Sequence, residues 1–104
     1  MIRHCVMLRL PDGVDVVALD KIMLSLGDLV DQLDGCSGFR AGPNRDYEGK
    51  SPGYTYGFTL DAKNPRALAA YAVHPDHQAL GAQLVALCEG GADGIRVYDI
   101  EAPA

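Results

Sequence analysis

The chain has three histidines, and they fall in two places. His4 lies on the opening segment. His74 and His77 lie in the run Tyr71-Ala72-Val73-His74-Pro75-Asp76-His77. An imidazole titrates near ~6.5, so it can accept and return a proton close to neutral pH. A tyrosine, near ~10, stays protonated and can donate a hydrogen bond to a developing oxyanion. His77 is therefore the candidate acid/base group. Tyr71 is the candidate that orients it or polarises a carbonyl, and His4 the candidate that positions a substrate or a water. The competing reading is a closed core in which these groups satisfy one another.

His74 directly precedes Pro75 and reads as a helix cap. His74 and His77 stand at i, i+3, but their spacing fixes no third ligand, so no metal is expected; no organic cofactor is expected either. There is no phosphate-binding GxGxxG loop and no Ser/His/Asp pattern. Cys5, Cys36 and Cys88 are odd in number, far apart and without a CxxC pair, and read as small buried hydrophobes.

The elements that must carry these groups follow from periodicity and punctuation. Ile2 to Leu10 alternates as a strand, with Ile2, His4, Val6, Leu8 and Leu10 on one face and Arg3, Cys5, Met7 and Arg9 on the other. Pro11-Asp12-Gly13 turns the chain. Asp15 to Leu33 has helical spacing, capped by Asp12 or Asp15 and stopped by Asp34-Gly35. Cys36 to Gly42 reads as a short edge strand with Phe39 inward, followed by a polar loop. Tyr54 to Leu60 reads as the third strand. Asn64-Pro65 caps a short helix to about Ala72, and Pro75 opens a second segment that runs to Cys88 before Gly90-Gly91. Gly94 to Ile100 is the last strand, with Ile95 and Val97 on one side and Arg96, Tyr98 and Ile100 on the other.

The order β-α-β-β-α-β predicts an α+β, ferredoxin-like fold: a four-stranded antiparallel sheet with its helices on one face. The space between helices and sheet is then the candidate ligand pocket. Around His4 it would be lined by Val6, Leu8, Ile22, Leu26, Phe39, Phe58, Leu80 and Val97. The other face, with Cys5, Met7, Thr55, Thr59 and Tyr98, has no helix left to cover it, which predicts a second copy packed there.

Composition agrees with one globular domain over residues 1–104. The chain is 48% hydrophobic and 22% charged, with a net charge of −5. An acidic chain without a Lys/Arg run is a poor partner for nucleic acid or an anionic membrane. No apolar run approaches the ~18 residues of a membrane span. Arg3, His4 and Arg9 interrupt the N-terminal segment, so it is no signal peptide, and the expected compartment is the cytoplasm.

Several stretches together resemble the stress-responsive A/B barrel (Dabb) family over nearly the whole chain. These are Ile2-Arg3-His4-Cys5-Val6, Gly53-Tyr54-Thr55, the Tyr-x-x-His-Pro-x-His run from Tyr71 to His77, and Val97-Tyr98-Asp99. The resemblance implies a dimeric α+β barrel, two ferredoxin-like units with their sheets back to back. In a plant polyketide cyclase of that family, which works without a cofactor, the catalytic histidine falls on His77, its tyrosine partner on Tyr71 and a pocket histidine on His4. The sequence departs from that enzyme at Leu26 and Tyr56, where the cyclase has a tyrosine and a histidine. The expected role is a homodimer that binds a small apolar or aromatic molecule. The alternative is a cofactor-free acid/base enzyme, of polyketide-cyclase type before a cofactor-independent monooxygenase. A third class is a structural or stress-protective protein whose pocket is filled by side chains.

Overall fold

A computed structural model describes residues 1–103; Ala104, the last residue of the expected domain, lies outside them. The chain runs β1 (Ile2–Leu8), α1 (Val16–Gln32), β2 (Cys36–Pro43), β3 (Tyr56–Ala62), α2 (Pro65–Val73), α3 (Pro75–Leu87), a 3-10 turn (Gly91–Gly94) and β4 (Ile95–Glu101). The sheet order is β2-β3-β1-β4, all neighbours antiparallel. This is the ferredoxin-like arrangement: β1 and β3 lie in the centre, and the helices reach across from one strand to a non-neighbour.

The element boundaries follow local chemistry. Asp15 caps α1 by accepting from the Ala18 N–H, and Asn64 does the same for α2 through Ala67, with Pro65 at the first helical position. Gly35 (φ +81) follows α1 and carries the turn into β2. β1 is shorter than its alternation predicts, and β3 has the predicted length but lies two residues further along. β1 ends at Leu8 because Arg9 turns its backbone to Gly94 and Glu89. β3 begins at Tyr56 because the Tyr54 N–H is held by Ser51 in the preceding turn; Thr55 still donates to the Leu8 carbonyl.

The core sits between α1 and the inner face of the sheet. Leu19, Ile22, Met23, Leu26, Leu29 and Val30 of α1 are buried against Val6, Leu8, Phe58 and Leu60. Four-residue and three-residue spacing gives α1 this stripe, and its aspartates at 20, 28 and 31 stay exposed. The broken α2–α3 segment buries far less: Ala67 and Tyr71 from α2, Leu84 from α3. The outer face carries no helix. Tyr98 and Ile100 are 58% and 54% exposed, and Cys5, Met7 and Thr59 are half-buried. Among the described residues no helix is long and apolar enough to cross a membrane.

Candidate functional site

The site begins where α2 meets α3. His74 ends one helix and starts the next: its N–H donates to the Tyr71 carbonyl, and its Nδ1 accepts from the Asp76 N–H at 3.1 Å. An Asp76 N–H spent on that cap is not available to the Ala72 carbonyl four residues earlier, which is left as one of the orphan acceptors of a helix end. Two side chains take it. His77 Nδ1 lies 2.9 Å from the Ala72 oxygen, and Gln78 Nε2 donates to the same oxygen at 2.9 Å. A carbonyl only accepts, so Nδ1 of His77 must carry the hydrogen, and Nε2 of the neutral ring holds a lone pair.

Across the gap, His4 on β1 faces Asp99 on β4 in strand register. Its Nδ1 lies 2.6 Å from Asp99 Oδ1. The carboxylate is an acceptor, so here too Nδ1 carries a hydrogen and Nε2 points elsewhere. The two histidines are thus fixed by different means, one by a backbone carbonyl five residues away and one by an acid 95 residues away.

Tyr71 joins them. Its ring centroid is 4.4 Å from that of His77 and 6.0 Å from that of His4. The residue is almost fully buried, and its hydroxyl has no hydrogen-bond partner among the described residues. Burial pushes the hydroxyl above its ordinary value, so it stays protonated. Burial also pushes the His77 imidazole below its ordinary value; the Ala72 carbonyl opposes this, and nearby His4 and His74 add to it. His77 is therefore a neutral base near pH 7 rather than a cation. The three groups do not satisfy one another: each histidine has a different partner, and the tyrosine hydroxyl has none.

Together with Ile2, Pro65, Leu68, Ala69, Ala72 and Asp99, these side chains line a hollow of about 440 Å³. Its wall is mostly apolar, with the histidines and Asp99 at its polar edge. Two other hollows, about 350 Å³ between α1 and α3 and about 500 Å³ between α1 and β2, are lined by no histidine or cysteine.

Of the pocket residues expected from sequence, only His4 lines this hollow. Val6, Leu8 and Phe58 of the sheet fill the closed core instead, because α1 lies directly on them with its own Ile22 and Leu26. Phe39 packs on Phe58 at 5.5 Å and lines the α1–β2 hollow; Leu80 lines the one between α1 and α3. Val97 shares the face of Val6 but sits on an edge strand and is half-exposed. Asp99 was not singled out by sequence. Alternation on β4 gave the signal, since Asp99 is in phase with Ile95 and Val97 and so is an acid on the inward face.

Residues 2–102 match the stress responsive A/B barrel domain. The chain belongs to that family. A stress-response A/B barrel domain-containing protein of Arabidopsis thaliana, HS1, is 24% identical over 98 residues, covering 94% of this chain and 86% of that protein. This A/B barrel domain superposes with a TM-score of 0.91 on a protein from Jannaschia sp. CCS1, described as dimeric, ferredoxin-like and of unknown function. The two are 46% identical, with 97% of this chain and 98% of that one covered. The hydroxynitrile lyase of Passiflora edulis shares the fold at a TM-score of 0.78 and 16% identity, over 95% of this chain and 90% of that one.

Proposed function

We propose that this A/B barrel domain is a homodimer whose protomers each bind a small, largely apolar or aromatic molecule in the hollow between His4, Tyr71 and His77. One observation carries the reading. Both histidines have Nδ1 fixed by a partner, so two Nε2 atoms are left uncommitted at the edge of an otherwise apolar hollow. Pre-oriented polar atoms on an apolar wall are what a small-molecule site needs. A ligand with an aromatic or aliphatic body would occupy the wall of Ile2, Leu68 and Ala69, and its hydroxyl, carbonyl or carboxyl group would meet the imidazoles.

A second reading, cofactor-free acid/base catalysis on such a molecule, is favoured by the depressed proton affinity of His77. A neutral, partly desolvated base can take a proton from carbon next to a carbonyl and return it, the chemistry of an aldol cyclisation, and such help is worth about 10²–10⁴ in rate. In this role His77 is the base. Tyr71 packs its ring on His77 to fix the imidazole plane, and its unpaired hydroxyl is a donor that a carbonyl oxygen could take up after a small shift. Monooxygenation without a cofactor ranks below this.

A screen of small aromatic acids and phenols, read by protein NMR, tests both readings. A bound compound should shift the His4 and His77 ring signals, and His77→Ala should abolish binding or turnover while the protein stays folded. A compound bound or turned over equally well by His77→Ala would remove the assignment.

The dimer reading rests on the uncovered outer face, with exposed Tyr98 and half-buried Cys5, Met7 and Thr59, and on Thr55 at its end. The dimeric description of the Jannaschia relative supports it. Light scattering at micromolar concentration should give twice the chain mass. Met7→Asp should lower it toward one chain, because a charge would enter a desolvated face. A monomer mass for the unmodified protein would defeat the reading.

A further inference from the structure

The outer face of the sheet gathers positive charge that the linear sequence disperses. Strand register puts Arg3 beside Asp61, Arg40 beside Thr59 and Arg96 beside Met7, and Arg9, just past the end of β1, reaches the Tyr54 ring that Arg96 also meets. Arg3 is paired, its Nε 2.8 Å from Asp61. Arg9, Arg40 and Arg96 make no ion pair among the described residues, in a chain whose net charge is −5.

Two of these three are held together. The Cζ atom of Arg9 lies 4.9 Å from the centroid of the Tyr54 ring, and that of Arg96 lies 5.6 Å from the same centroid. The ring quadrupole attracts both guanidiniums. Arg9 is also laid against the turn: a Cβ on Gly53, whose φ is +86, would fall 2.6 Å from an Arg9 terminal nitrogen. Arg96 is steadied by an Nη1–H bond to the Asp93 carbonyl at 3.1 Å. The Arg9 side chain donates no hydrogen bond among the described residues. Both guanidiniums thus lie within about 6 Å of one ring centroid, with most of their donors unspent.

We propose that Arg9, Tyr54 and Arg96 form a second binding site, separate from the histidine hollow, that takes a small oxyanion. The planar fork of an arginine matches the paired oxygens of a phosphate or carboxylate, and an oxyanion beside the Tyr54 ring would neutralise charge that no ion pair offsets. All three residues come from one protomer, at the Gly53 end of the face.

The test titrates inorganic phosphate into the protein against chloride at matched ionic strength, read by calorimetry and by the NMR signals of Tyr54 and the arginine Nε–H groups. Saturable binding of one phosphate per chain is expected. Arg9→Gln and Arg96→Gln should each weaken it by about tenfold, the loss of one charge-assisted fork. Arg45→Gln, an exposed arginine outside the cluster, should leave it unchanged. Arg96 is itself exposed, so its variant stays informative if Arg9→Gln folds poorly. Absence of saturable phosphate binding would overturn the site, as would equal weakening by Arg45→Gln and Arg96→Gln. Light scattering on the same samples keeps the readings apart: a monomer that still binds phosphate refutes the dimer and leaves the oxyanion site standing.

Discussion

Around Leu8 the space between sheet and helices is solid, and around His4, four residues earlier on the same face of the same strand, it is hollow. Leu8 is wholly buried, with Leu26, Val30 and Leu60 also inaccessible nearby in the core. His4 borders about 440 Å³ of open volume. The strand treats both positions alike, so the difference comes from the helices. α1 is 17 residues long without a break and lays six buried side chains on the sheet. The second helical segment is interrupted at His74-Pro75 and has alanines at positions 69, 70 and 72, so it lies near the sheet without filling the space. A long unbroken helix makes a core. A short, broken, alanine-rich one makes a cleft and, at the break, the orphan carbonyl that aims a histidine.

Leu8→Ala should show this difference most strongly. Removing a fully enclosed side chain under α1 should cost about 2–5 kcal/mol, read as a lower denaturant midpoint with unchanged slope. His4→Ala, at the hollow end, should cost clearly less; equal losses would mean that the hollow end is packed as tightly as the core.

Tyr71→Phe tests the hollow end from the opposite direction. A buried hydroxyl without a partner has lost its water and gained nothing, so deleting it should leave stability unchanged or raise it by up to about 1 kcal/mol. A loss of more than that in thermal or chemical unfolding would show that the hydroxyl is bonded in solution. If the hydroxyl serves a substrate, the same variant should lose turnover while keeping its fold.

The smallest effect is pH dependence. His77 is pushed below its ordinary value of 6.5 by burial, so between that value and its folded one the unfolded chain binds more protons than the folded chain. This contribution to stability is complete above about 6.5, is lost as pH falls toward the folded value, and is constant below it. His77→Ala should flatten that part of the stability curve. A histidine ring signal titrating above 6.5 and assigned to His77 would reverse the sign.

Much of the architecture could be read from punctuation. Asp34-Gly35, Asn64-Pro65, Pro75 and Gly90-Gly91 each have one cheap backbone solution, and the alternation of β1 and β3 fixed which faces turn inward. The 3-10 turn at Gly91–Gly94 is not legible in the sequence, since two glycines mark the stop of a helix without specifying the conformation of the next residues. His4, Tyr71 and His77 meet as the shared inward phase required. The wall of the hollow is not legible in the sequence because the phase of a strand or helix tells which face a residue occupies, not which element lies over it; Phe39, Leu80 and Val97 meet three different surroundings. Asp99 is legible only as the end of the Val97-Tyr98-Asp99 stretch and not as a site residue, because an acid in an apolar phase gains its meaning only from a histidine 95 positions away.

That separation has a consequence for how the chain comes into being. The bond from His77 to Ala72 closes a loop of five residues and can form as soon as α2 and α3 exist. The pair of His4 and Asp99 spans nearly all of the described chain and must wait for β4 to dock beside β1. Loops that long are the slow step of small α+β proteins, since their closure entropy is spent before any contact rewards it. On a ribosome, β1 would emerge first and remain on the outer edge of an incomplete sheet, its partner strand still unmade. The His77 half of the hollow is therefore local and early, and the half that receives β4 is completed only when the sheet closes.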